Sequence, residues 1–98
     1  MSRQRRDPSE LTFDQAAERF LGRKRGSKAD ATVRENGYRL NRFREWVDQE
    51  GLETVGELHP LDFDDYLAFR KADEVQPITM QKHFGTIREF VAFLEQLG

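Results

Sequence analysis

The sequence predicts an all-α fold, a compact bundle of four to five helices in one domain. Three observations predict it. Apolar residues recur at three- and four-residue spacing in four separate segments, as amphipathic helices require. Start and stop signals for helices fall at the ends of those segments. No stretch shows the strict apolar–polar alternation of a half-buried strand. With 98 residues, 37% hydrophobic and eight of them Phe, the chain has the size for a single modest core.

Residues 1–11 read as a flexible basic arm, interrupted by Pro8 and Ser9; residues 12–98 form the helical domain. Thr12 with Gln15 three residues later has the capping-box form. Phe13, Ala16, Ala17, Phe20 and Leu21 follow at helical spacing, so helix 1 runs to about residue 24 and stops at Gly26-Ser27. Helix 2 begins near Asp30, with Val33, Leu40, Phe43 and Val47 on one face. It ends before Gly51, which suits a left-handed C-cap, with Leu52 making the accompanying contact. Gly37 within it suggests a close helix crossing. Thr54 to Glu57 repeats the capping-box form and opens a short turn. Pro60 opens helix 3, whose Asp62, Asp64 and Asp65 favour a helix N-terminus. Pro77 or Ile78 opens helix 4, with Met80, Phe84, Ile87, Val91 and Leu94 as its buried stripe, Phe90 and Phe93 widening it, and Gly98 as C-cap.

The net charge of −2 hides an asymmetry. Residues 1–44 hold 12 Lys/Arg and 6 Asp/Glu, whereas residues 45–75 hold 2 and 10. A basic end and an acidic middle can orient a protein on a polyanion. Arg outnumbers Lys 12 to 4, and this acid-rich, lysine-poor composition resembles that of halophilic proteins. The absence of Cys excludes disulfides and thiolate metal sites and fits a reducing cytoplasm. No apolar run is long enough for a membrane span.

Catalytic patterns are missing. His59 and His83 have no partner at metal-ligand spacing, so no metal or cofactor is expected. His59, just before Pro60, reads as a loop or cap residue, and His83 as a packed or partly exposed one. There is no phosphate loop, nucleophile elbow or Ser/His/Asp set.

The order of helices carries a resemblance. Thr32-Val33, Leu40, Phe43, Trp46 and Val47 make one segment of it. Thr79-Met80 through Phe84, Ile87, Phe90, Phe93 and Leu94 make the second. The link from Glu57 to Leu67 and the first helix from Asp14 to Leu21 complete it. This set resembles the N-terminal, SAM-like core-binding domain of phage-integrase-type tyrosine recombinases. Asn36 departs from it, standing where that family usually has a core aromatic, with Tyr38 two residues later.

The resemblance implies an orthogonal helical bundle that grips double-stranded DNA with the polar sides of helices 2 and 4. On helix 2 the apolar face leaves Glu35, Tyr38, Arg42 and Glu45 outward, with Thr32 and Arg39 on one flank and Arg34 on the other. Thr32, Arg34, Tyr38 and Arg39 are candidate contacts to phosphate and sugar. Matched to the family's helix, Thr79, Lys82 and Thr86 reach DNA, Lys82 and Thr86 at base edges, and Gly85 admits a close backbone approach. The run Arg23, Lys24, Arg25 and Lys28 would hold phosphates.

The resemblance also implies what the chain lacks. A catalytic domain, C-terminal to this module in the family, carries the Arg/Lys/His set and the tyrosine nucleophile. The partners are then that domain, DNA and neighbouring recombinase protomers in a synaptic complex. Two other readings differ in class: a SAM-like protein–protein adaptor using the acidic helix 3, and a helix-turn-helix regulator, which needs a tighter turn between helices than this spacing gives.

Overall fold

Four helices account for most of the chain. The computed structural model describes residues 7–72 and 76–97. The helices are α1 (Phe13–Arg25), α2 (Asp30–Gln49), α3 (Pro60–Lys71) and α4 (Pro77–Leu97). Two 3-10 turns, Pro8–Glu10 and Val55–Glu57, precede α1 and α3. The described residues contain no strand, only an isolated antiparallel bridge between Thr12 and Thr54.

Local chemistry sets the helix ends. Thr12 Oγ1 accepts from Gln15 N at 3.1 Å and Gln15 Oε1 accepts from Thr12 N at 3.0 Å, the reciprocal box that starts α1. Gly51 has φ 74°, and Leu52 N donates to Val47 O at 3.2 Å while Gly51 N donates to Asp48 O at 3.1 Å. These two bonds close α2 as a Schellman motif. His59 caps α3: its Nδ1 accepts from Leu61 N at 3.2 Å, and Asp62 Oδ2 accepts from His59 N at 2.7 Å. Thr54 behaves differently from the sequence expectation. Its side chain makes no cap bond, and Glu57 Oε2 instead accepts from Glu53 N at 2.8 Å.

The core is aromatic. Phe13 and Phe20 of α1, Phe43 and Trp46 of α2, Tyr66 of α3, and Phe90 and Phe93 of α4 are all buried. Most of their rings meet edge-on or tilted, Phe13 with Phe43 at 5.5 Å and 78°, Phe20 with Phe90 at 5.6 Å and 79°, while Phe43 and Trp46 stack at 12°. Such pairs add about 0.5–1.5 kcal/mol beyond area burial. The packing joins α1 with α2, α2 with α4, and α1 with α4. Tyr66 anchors α3, with its ring 4.8 Å from Phe43 and 5.6 Å from Phe84.

Three expectations are corrected here. The arm was expected to reach residue 11, but Asp7 to Leu11 are folded: Pro8–Glu10 is a 3-10 turn and Leu11 is in the core. That turn lies against the second one, with Val55 N donating to Leu11 O at 2.9 Å. The basic stem Arg3-Arg5-Arg6 and Gly98 lie outside the described residues. Gly37 does not mark a close crossing, because a Cβ there would sit 3.8 Å from Leu21 Cδ1, an ordinary contact.

The third correction concerns α4. Its buried positions are His83, Thr86, Ile87, Phe90 and Phe93, whereas Met80, Phe84, Val91 and Leu94 are only half-buried. At 100° per residue the buried face is turned by roughly a quarter turn from the aliphatic stripe. His83 and Thr86 are buried because each finds a polar partner on a neighbouring helix. The displaced Val91 and Leu94 line an open apolar groove of ≈ 420 Å³ shared with Val55, Leu58 and Phe63.

Candidate nucleic-acid interface

The face of α4 that turns toward α2 carries a polar node. Thr86 Oγ1 donates to Asn36 Oδ1 at 3.0 Å and accepts from Arg39 Nη1 at 3.2 Å. Asn36 and Thr86 are 6% and 4% exposed, so the node is sealed from water on the helix side. The Arg39 side chain is 24% exposed, and its Nη2 also reaches Glu35 Oε2 at 3.5 Å. Thr86 Oγ1 further approaches the Lys82 carbonyl at 3.4 Å, one turn back on α4. Lys82, one turn before Thr86, thus shares the face of α4 that Arg39 of α2 touches.

A second buried pair lies beside this node. The Tyr66 hydroxyl oxygen and His83 Nε2 are 2.6 Å apart, tying α3 to α4. Burial pushes the His83 pKa down to about 4, helped by the positive charges of Arg70, Arg39 and Arg42. A neutral imidazole can accept the Tyr66 hydroxyl hydrogen at Nε2. Guanidiniums of α2 and α3 thus lie near enough to disfavour a proton on this imidazole of α4.

The residues singled out from sequence divide into groups. Thr32, Arg34 and Tyr38 are exposed on α2, Tyr38 at 66%. Thr79 and Lys82 are exposed on α4. Gly85 is half-buried with no atom within 4 Å of a built Cβ, so the chain itself makes no use of its missing side chain. Thr86 is corrected: its hydroxyl is spent inside the protein and does not face solvent.

The basic run between α1 and α2 is partly absorbed by packing. Lys24 pairs with Glu89 of α4, and its Nζ lies 5.4 Å from the centre of the Phe20 ring. The Arg23 guanidinium lies over Phe93 at 4.7 Å. Arg25 reaches Glu18, at 3.9 Å. Lys28 is exposed. These contacts fall along the same edge of α4 that carries Lys82 and Thr86, since residues 82, 86, 89 and 93 succeed one another at helical spacing.

The sequence places Arg42 outward beside Tyr38 but gives no sign of the bond that Asn36 makes. Asn36 was visible only as a polar residue at a core position. Arg42 is exposed and pairs with Glu45 of its own helix at 3.8 Å. Among the described residues no ion pair joins Arg39, Arg42 or Lys82 to the acidic α3. No group of three or more metal-ligating side chains occurs among the described residues, and no helix there is long and apolar enough to cross a membrane.

No family model and no curated protein matches the chain. A solved structure does: the N-terminal domain of a phage integrase/site-specific recombinase from Haloarcula marismortui. It superposes with a TM-score of 0.85 at 28% sequence identity, over 89% of this chain and 84% of that one. In fold and in sequence, the chain is thus similar to the N-terminal domain of a phage integrase/site-specific recombinase.

Proposed function

We propose that this domain is the DNA-gripping module of a tyrosine site-specific recombinase and holds duplex DNA against the joint polar surface of α2 and α4. The observation that carries the proposal is the bond from Arg39 of α2 to Thr86 of α4, which sets a guanidinium at the junction of the two helices. Arg34, Arg39, Arg42 and Lys82 would meet phosphates, and Tyr38 and Thr79 the sugar–phosphate backbone. Arg25 and Lys28 would extend that surface; Arg23, exposed but lying over Phe93, would stand at its edge, and Lys24, paired with Glu89, would take no phosphate. Catalysis would come from a separate C-terminal domain, and neighbouring protomers would complete the synaptic assembly. The compartment is the one that holds the DNA, the cytoplasm.

The test is an NMR titration of the domain with duplex DNA at several salt concentrations. Shifts at Arg34, Arg39, Arg42 and Lys82, with log K falling about 0.9 per phosphate contact against log salt, are expected. Shifts confined to α3 and its apolar groove would instead favour a protein–protein adaptor.

A further inference from the structure

The buried node between α2 and α4 has a use beyond holding the helices together. An Asn–Thr pair inside a helix interface gives no packing advantage over two aliphatic side chains of similar size, and each polar atom there must be matched. The match found here has a direction. The Thr86 hydroxyl has one proton, and the nearer acceptor is Asn36 Oδ1 at 3.0 Å, against 3.4 Å for the Lys82 carbonyl. The lone pairs of Thr86 Oγ1 are left to accept from Arg39 Nη1 at 3.2 Å. Asn36 therefore orients Thr86, and Thr86 orients Arg39.

We propose that Asn36 and Thr86 are positioning residues that hold the Arg39 guanidinium ready for a DNA phosphodiester oxygen. The inference rests on the DNA-binding reading and deepens it by naming one phosphate ligand and the device that aims it. A guanidinium has five N–H donors, and two of its nitrogens are engaged here, Nη1 by Thr86 and Nη2 by Glu35. Glu35 is a weak competitor, 3.5 Å away with a side chain 64% exposed, so an incoming phosphate displaces it readily. Arg42, three residues on along α2, and Lys82, one turn before Thr86 on α4, are exposed cations that flank the node. A guanidinium fixed in advance loses less freedom on binding than a loose one.

The experiment is a double-mutant cycle on affinity for a labelled duplex, measured by fluorescence anisotropy over a salt series, with a thermal melt of each variant. Thr86→Val removes the hydroxyl at constant shape, and Thr86→Ser retains it. We expect Thr86→Val to weaken binding about fivefold, the size of one hydrogen bond, and Thr86→Ser to stay within about twofold of wild type. In an Arg39→Ala background, Thr86→Val should change affinity no further while lowering the melting temperature as before. Equal weakening in both backgrounds, or none from Thr86→Val while Arg39→Ala weakens binding, overturns the positioning role and leaves the DNA reading intact. An unchanged affinity and salt slope for Arg39→Ala removes Arg39 as the ligand, again without touching that reading. A wild-type domain that binds no duplex overturns both, and shows itself before any substitution is made.

Discussion

Gly56 and Ser9 stand closer than any side chain would permit. A Cβ built on Gly56 falls 2.6 Å from the Ser9 carbonyl oxygen and 2.7 Å from its Cβ. This contact seats the first 3-10 turn on the second and brings Leu11 and Val55 together in the core. Gly56→Ala must push the two turns apart. We expect a loss of about 1–3 kcal/mol, as for other overpacked sites, measured by urea denaturation. A midpoint unchanged from wild type would show that the N-terminal turn contributes nothing to stability.

Gly37 is the opposite case. It sits within α2 with room for a methyl group, the nearest atom being Leu21 Cδ1 at 3.8 Å from a built Cβ. Glycine costs about 0.8–1 kcal/mol relative to alanine in a helix interior. Gly37→Ala should therefore stabilise the domain by roughly that amount. A lower melting temperature would mean that α1 and α2 approach more closely than this geometry allows.

His83 makes stability depend on pH. Its folded pKa is pushed from 6.5 down to about 4, first by burial and then by Arg70, Arg39 and Arg42; Tyr66 is its hydrogen-bonding neighbour. Between these values the unfolded chain binds a proton that the folded chain refuses. Stability therefore falls as pH drops from 6.5 toward 4, by up to about 3 kcal/mol from this residue. His83→Gln should flatten that part of the stability–pH curve even though it destabilises at neutral pH. A slope identical to wild type between pH 6.5 and 4.5 would show that other groups set it.

What the sequence reveals and what it conceals follow from the range of the interactions. The helix ends are legible because their causes are local: Thr12 with Gln15, Pro60 after His59, Gly51 after Glu50. The buried face of α4 is not. Counting apolar residues selects Met80, Phe84, Val91 and Leu94, but His83 and Thr86 are buried instead, because Tyr66 and Asn36 lie 17 and 50 residues away. The docking of Ser9 on Gly56 leaves no local signal at all. Among the site residues, the outward set of α2 is legible from periodicity, since Val33, Leu40 and Phe43 fix its inner face. Within the basic run the pairing of Lys24 is hidden, because its partner Glu89 is 65 residues further on.

That difference between Lys24 and Lys82 gives the last prediction. Lys24 is 20% exposed, paired with Glu89 and held over Phe20; Lys82 is exposed beside the Arg39–Thr86 node. Lys24→Met keeps the apolar stem and removes the charge. It should lower stability by about 0.5–1 kcal/mol, the scale of a partly exposed pair with a cation–π contact, and leave the salt dependence of DNA binding unchanged. Lys82→Met should do the reverse: stability is retained, while the slope of log K against log salt drops by about 0.9, one phosphate contact. If Lys24→Met reduces the slope and Lys82→Met does not, the duplex lies against the end of α1 rather than across α2 and α4.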